Sequence, residues 1–209
     1  ATQDPYNNQF SATSNSMAIL YDVSGNKNPN TNGKDIGKIN VEQLAGVTGC
    51  MIPELKDTMC ITQILGPQNG GYSPLTKAEC EEIADQGYGN NKAYCYYDSD
   101  YWAGAVKACG GVQNMPTMEQ LGQLATYLYN YDGTIGAQQD ISIGINWDPN
   151  KVSLFTAQSP GGISWFVVWS GQEYSQRYAY CRTFFPTTTY WDDNYRHYGN
   201  NALAVCLGD

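Results

Sequence analysis

Tyr101-Trp-Ala-Gly-Ala-Val-Lys-Ala-Cys-Gly-Gly-Val-Gln-Asn-Met-Pro-Thr-Met-Glu-Gln-Leu121 is the stretch whose reading decides the fold. Asp100 to Cys109 reads as a helix stopped by Gly110-Gly111, since paired glycines hold helical backbone at an entropic cost. A second helix starts near Pro116, with Thr117 as its cap and Glu119 in its first turn. Leu121, Leu124, Ala125 and Leu128 then keep the spacing that lines one helical face with apolar groups. Upstream, Ser73 to Asp85 predicts another helix, capped by Thr76. After Asn130 the helix signals stop. Short β-prone runs (Ile141–Ile145, Val152–Phe155, Ile163–Trp169, Tyr178–Phe184 and Ala202–Leu207) alternate with Gly, Pro, Asn and Asp clusters, which predicts an antiparallel sheet. At the other end, Met17–Val23 and Ile36–Val41 read as strands flanking a turn-rich loop. The chain is therefore expected to be α+β, with a small β-hairpin region over residues 1–75 and the main domain over residues 76–209.

Composition narrows the partners. The 209 residues suffice for a substantial core, and 22 glycines with 17 tyrosines favour short strands and turns. A net charge of −9 argues against nucleic acid or an anionic membrane surface, both of which need clustered positive charge. No run approaches the roughly 18 apolar residues of a membrane span, and no signal peptide pattern is present. Ala1 is accordingly expected to be a processed or trimmed start, with any anchor outside this sequence. Seven cysteines in an acidic chain rich in Asn, Tyr and Gly point to an oxidising compartment, extracellular or on a cell surface. They lack the CxxC pairs of a zinc ribbon, and one histidine offers little to a mixed site, so disulfides are the better reading. Cys50 and Cys60 are close enough in sequence for a local bridge, and an odd count leaves one thiol over.

Tyr101–Leu121 resembles the opening of a C-type-lectin-like domain: a helix with Trp-x-x-Ala ending in Cys, a glycine turn, then a helix with a hydroxyl cap and a Glu. Trp165-Phe-Val-Val-Trp-Ser-Gly-Gln-Glu-Tyr-Ser175 resembles the aromatic strand of that fold, and Ala204-Val-Cys-Leu-Gly208 its closing strand. The resemblance covers roughly residues 80–209. It implies that Cys109 bridges to Cys206, with Cys50–Cys60 and Cys80–Cys95 as local bridges and Cys181 unpaired; the alternative pairs Cys181 with Cys206 across neighbouring strands. The stretch Ala18–Asp35 is similar to the start of the globular part of bacterial type IV pilin-like proteins, which makes pilus subunits a second class of partner.

The segment that carries function lies further on. All three arginines (Arg177, Arg182, Arg196) and the only histidine (His197) fall within 21 residues, and no lysine occurs after Lys151. Twelve of the 27 aromatic residues lie between Trp165 and Tyr198. Tyrosine and tryptophan give large rigid contact area at low entropic cost, and arginine adds stacking and planar hydrogen bonding, so the composition is that of a paratope. Strand alternation puts Tyr178, Tyr180, Arg182 and Phe184 on one face, expected to be exposed, and Ala179, Cys181 and Thr183 on the packed one. Tyr190, Trp191, Asp192, Asp193, Asn194, Tyr195, Arg196, His197 and Tyr198 extend the candidate contact surface, together with Arg177. Trp165, Trp169 and Phe184 are the aromatics that the core claims, with Trp165 and Trp169 forming the floor of the surface.

From Tyr178 to Asp209 there is no Lys, Glu, Gln, Met or Ile. Randomising the adenines of an Asn codon ending in C gives Asn, Tyr, Asp, His, Arg, Ser, Thr, Cys, Gly and several apolar residues, but never Lys, Glu, Gln, Met or Trp. The stretch thus resembles the variable region of proteins diversified by retroelements, which sits near the C-terminus of a C-type-lectin-like fold. Trp191 would then be an invariant position. The resemblance implies an adhesin- or receptor-like protein with a protein or carbohydrate ligand on a cell or phage surface.

Other classes fit less well. A triad would have to use His197, and adjacent Asp192 and Asp193 point apart in a strand, so no enzyme is expected. A lone Cys181 does not reproduce the cysteine pair of sulfatase-activating oxidases, which share the fold. Trp147-Asp-Pro-Asn150 and Trp191-Asp-Asp-Asn194 only approximate the motifs of calcium-dependent lectins. Asp22, Ser24, Asn26 and Asn28 alternate oxygen ligands like the start of a calcium loop but lack the closing Glu, so a structural calcium is the only cofactor considered. A fixed pilin-like subunit, packing its aromatic stretch against neighbours, is the remaining alternative.

Overall fold

The computed structural model describes residues 49–159, 164–199 and 202–209. Residues 49–209 form one compact unit. The N-terminal hairpin and the oxygen-rich loop of Asp22, Ser24, Asn26 and Asn28 lie outside the described residues.

The three expected helices form where their caps stand. In α1 (Lys77–Asp85) the Thr76 side chain accepts from the Glu79 amide while Glu79 reaches back to the Thr76 amide, closing a capping box. In α2 (Tyr101–Cys109) Asp100 accepts from the Ala103 amide, and Gly110 ends the helix in the left-handed conformation that glycine adopts without strain. In α3 (Met118–Leu128) Thr117 and Gln120 form a second capping box. Glu119 stands in its first turn, as expected. A fourth helix, α4 (Pro149–Thr156), replaces the strand expected at Val152–Phe155. Asp148 caps it and Pro149 supplies its first turn, so Asp-Pro is a helix start, and Val152 and Phe155 are one buried helical face.

Five strands make one sheet in the order β1-β5-β2-β3-β4. They are β1 (Cys60–Leu65), β2 (Phe166–Glu173), β3 (Tyr178–Phe185), β4 (Thr188–Tyr195) and β5 (Ala202–Gly208). The sheet is mixed rather than antiparallel, because β5 lies parallel to β2 through Val167–Ala202 and Val168–Leu203. β1 comes from the region set apart as residues 1–75, yet it pairs with β5 and belongs to the same compact unit. The expected strand at Ile141–Ile145 reduces to a single bridge between Ile141 and Thr189.

The sheet divides the core in two. One face holds Phe166, Val168, Phe184, Leu203 and Val205 against α3 and α4. The other holds Val167, Trp169, Ala179, Cys181, Ala202 and Ala204 against α2. Small residues on this second face let α2 approach closely, and Trp102 and Trp169 fill the remaining space. The indole of Trp102 donates to the Ser170 carbonyl at 2.7 Å, and that of Trp169 to the Tyr72 hydroxyl at 3.2 Å, so neither buried donor is orphaned. Gly104 is required by packing: a Cβ there would stand 2.0 Å from the Ser73 carbonyl oxygen, where the segment before α1 crosses α2.

Three disulfides close Cys50–Cys60, Cys80–Cys95 and Cys109–Cys206, and Cys181 is free and buried. The Cys181–Cys206 alternative is therefore overturned: Cys181 lies on β3, two strands away from β5. The Cys109–Cys206 bridge spans 97 residues and ties α2 to the central strand pair. By loop-closure entropy it stabilises by about 4–5 kcal/mol. The double variant C109A/C206A should lose about that much in urea unfolding under non-reducing conditions; a loss under about 1 kcal/mol would contradict the assignment.

Candidate functional site

β4 is the outer strand of the sheet, and its register against β3 sorts the candidate residues by face. Tyr178 faces Tyr195, Tyr180 faces Asp193 and Arg182 faces Trp191, all on the α3 side. Ala179 faces Asn194, Cys181 faces Asp192 and Thr183 faces Tyr190 on the α2 side. The expected alternation holds at the Tyr178–Cys181 end, where both tyrosines are half-exposed and Ala179 and Cys181 are buried.

It fails at Arg182. That side chain was expected to be exposed and is 0 % exposed, because α3 and the segment around Gln139 cover this end of the sheet. Its Nε donates to the Thr189 hydroxyl at 2.9 Å and its Nη2 to the Gln139 carbonyl, while Nη1 has no partner. Burial pulls this guanidinium down to about 10, against the fields of Asp140 and Tyr129, so it still carries its charge at neutral pH.

Arg196, expected as a contact residue, is likewise 0 % exposed. Its backbone amide donates to the Arg177 carbonyl, which turns the chain inward after β4. The guanidinium then meets Asp100 at 2.8 Å and Glu173 at 2.8 Å, and donates to the Ser175 carbonyl at 3.2 Å. It lies 4.7 Å from the Trp102 ring centre, a cation–π distance. Asp100 is also the cap of α2, and Glu173 also accepts from the Asn91 amide at 2.6 Å. Burial raises both carboxyls above their usual range and the Arg196 charge opposes that rise. One arginine thus joins β4, α2, the β2–β3 turn and the loop held by Cys80–Cys95.

The aromatic residues around this anchor form a continuous ribbon. Ring centres run from Trp191 to Tyr180 (6.1 Å), Tyr174 (5.4 Å), Tyr178 (6.3 Å) and Tyr195 (4.7 Å). From Tyr195 the ribbon branches to Tyr198 and to His197, each at 5.4 Å, and continues from His197 to Tyr97 at 4.1 Å and from Tyr97 to Tyr96 at 5.0 Å. Tyr174 and Tyr198 are 53 % and 62 % exposed, which makes the ribbon a surface rather than core. The neighbouring Tyr195 hydroxyl raises the pKa of Tyr178 above its usual value. Exposed Arg177 stands on the turn beside the ribbon. Tyr190 is not part of it: it stacks with Phe185 (6.1 Å), and Phe185 with Trp165 (5.4 Å), on the α2 side of the sheet.

Three ribbon residues were missed as contact residues. Tyr174 stood in the segment likened to the aromatic strand of the fold, and Tyr96 and Tyr97 lie far upstream of the aromatic cluster, just after the Cys80–Cys95 bridge. The only early signal was the doubled tyrosine after Cys95.

The edge of β4 is covered locally. Asp192 accepts from the Asp193 amide at 2.8 Å and Asn194 from the Tyr195 amide at 3.0 Å, while Asp140 takes the Trp191 amide at 3.2 Å and Ile141 pairs with Thr189. The outward-facing amides of the edge are therefore all engaged, which blunts it against strand addition. Burial lifts the Asp192 carboxyl above its usual range, and Asp193 and Asp140 add to the lift. Burial also pushes the Cys181 thiol well up, leaving it protonated and unreactive. Among the described residues no group of three or more His, Cys, Asp or Glu side chains is placed to hold a metal, and no helix is long and apolar enough to cross a membrane.

No protein-family model, curated protein or solved structure matches the chain.

Removing one member of a buried ion network leaves the others charged and unpaired, at a cost of about 3–5 kcal/mol. Arg196→Ala should therefore destabilise by that amount in urea unfolding; a change within about 0.5 kcal/mol would show the network to be dispensable.

Proposed function

We propose that this chain is an extracellular or cell-surface recognition protein of C-type-lectin-like fold whose aromatic ribbon is its ligand-contact surface. The continuous run of exposed and half-exposed tyrosines from Tyr174 to Tyr198 carries this reading. Nine rings in contact give a rigid, amphipathic face, and the side chains of such a face lose little entropy when a ligand covers them. Recognition of this kind needs no catalytic group, and the blunted edge of β4 favours contact through the face over strand addition. Three disulfides accord with an oxidising location.

We further propose that the exposed part of this face is the variable set of a diversity-generating retroelement. Tyr178, Tyr180, Asp193, Tyr195, His197 and Tyr198 are all reachable by adenine-directed change of an Asn codon, and all are exposed or half-exposed. Arg182 and Arg196 are reachable by the same chemistry but are buried anchors, so they belong to the constant framework with Trp191. The test is to sequence the DNA around the gene, and sister copies of it, for a near-copy of the 3′ coding end. Differences should fall at adenines in the codons of the exposed set and spare codons 182, 191 and 196. Absence of such a copy, or variation concentrated at the buried arginines, would overturn the retroelement reading.

A further inference from the structure

At the Trp191 end of the ribbon lies an open pocket of about 350 Å³, lined by Met118, Ala137, Gln138, Gln172, Tyr180 and Trp191. We infer that this pocket is the anchor site for a phenol-bearing side chain, a tyrosine, of a partner protein. The inference rests on the ribbon being the contact surface, since the pocket opens where that surface meets α3.

The lining argues for an occupant that is apolar along its body and polar at its tip. Met118, Ala137, Tyr180 and Trp191 offer apolar and ring surface, with the two rings 6.1 Å apart and inclined at 35°. Gln138 and Gln172 supply amides that both donate and accept, and no lining group is charged.

Charge excludes other occupants. No lining residue is charged, so a carboxylate, phosphate, lysine or arginine would give up its hydration without a counter-ion in the pocket wall. A purely aliphatic group would leave both amides unmatched. A phenol meets both constraints, and buried aromatic anchors are the residues around which protein interfaces concentrate their binding energy.

The test uses N-acetyl-tyrosinamide as probe, followed by NMR on the isotope-labelled chain, with N-acetyl-leucinamide and glucose in parallel. The tyrosine probe should perturb the Trp191 indole and the Gln138 and Gln172 side-chain amides with millimolar affinity, at least tenfold tighter than either comparison compound. Trp191→Ala and Gln172→Ala should each abolish the perturbation, with the disulfide-bonded core spectrum unchanged. Tighter binding of glucose would reassign the pocket to carbohydrate, and equal binding of the leucine probe would reduce it to a nonspecific apolar cleft. No response to any probe would overturn the inference. Ribbon variants that lose ligand while the pocket stays silent to the probe would reject the pocket alone, leaving the contact surface in place.

Discussion

The guanidinium of Arg196, buried against Asp100, Glu173 and the Trp102 ring, is the constraint on which the arrangement of this surface depends. Each partner is doing a second structural job. Asp100 starts α2, and Glu173 fixes the Asn91 amide of the loop that carries Tyr96 and Tyr97. The immediate neighbours of Arg196, Tyr195 and His197, are ribbon members, so the anchor and the surface share the same few residues of chain. A buried ion pair is weak evidence of net stability, since desolvating the charges opposes their attraction. Its worth here is geometric. Five hydrogen-bonding positions on one rigid plane can be satisfied only if four separate segments meet in one arrangement, and an apolar cluster of equal volume would not impose that.

On the proposed reading, this division of labour would let a tyrosine-rich surface tolerate change. The two cores lie on opposite faces of the sheet and are held by α2 on one side and by α3 and α4 on the other. The Cys109–Cys206 bridge closes the long loop between them, and the edge of β4 is sealed by its own side chains and by Asp140 and Ile141. None of these contacts draws on the exposed phenols of Tyr174, Tyr195 or Tyr198. Replacing such rings would leave in place the contacts that hold the sheet, which is the property that the proposed rebuilding of a binding face requires.

The helices of the middle region were legible because their caps are written locally: Thr76, Asp100 and Thr117 each stand one residue before the helix they start. α4 was misread because Val152 and Phe155 are β-prone taken alone, and the Asp148-Pro149 start was set against a calcium motif instead. Spacing alone suggested only the local Cys50–Cys60 bridge; the long Cys109–Cys206 pairing came through a family resemblance. The aromatic cluster was visible as composition, but its division was not. Whether an arginine two residues beyond a tyrosine is exposed depends on how far α3 reaches along the sheet, which is a tertiary fact. Arg182 and Arg196 looked like contact residues because arginine is so often one, and a buried arginine announces itself only through partners such as Asp100, ninety-six residues away. The sequence separation of Tyr96 and Tyr97 from the rest of the ribbon hid them for the same reason.

The most direct measurement is a surface-display scan of every substitution from Trp165 to Tyr198, read for folded display alone with a conformation-dependent probe. If the framework and the recognition surface are separate, Trp169, Arg182, Phe184 and Arg196 will tolerate almost nothing, while Tyr174, Tyr178, Tyr195, His197 and Tyr198 will accept most residue types. A scan in which the ribbon tyrosines are as intolerant as the buried positions, or in which Arg196 is freely replaced, would contradict the account.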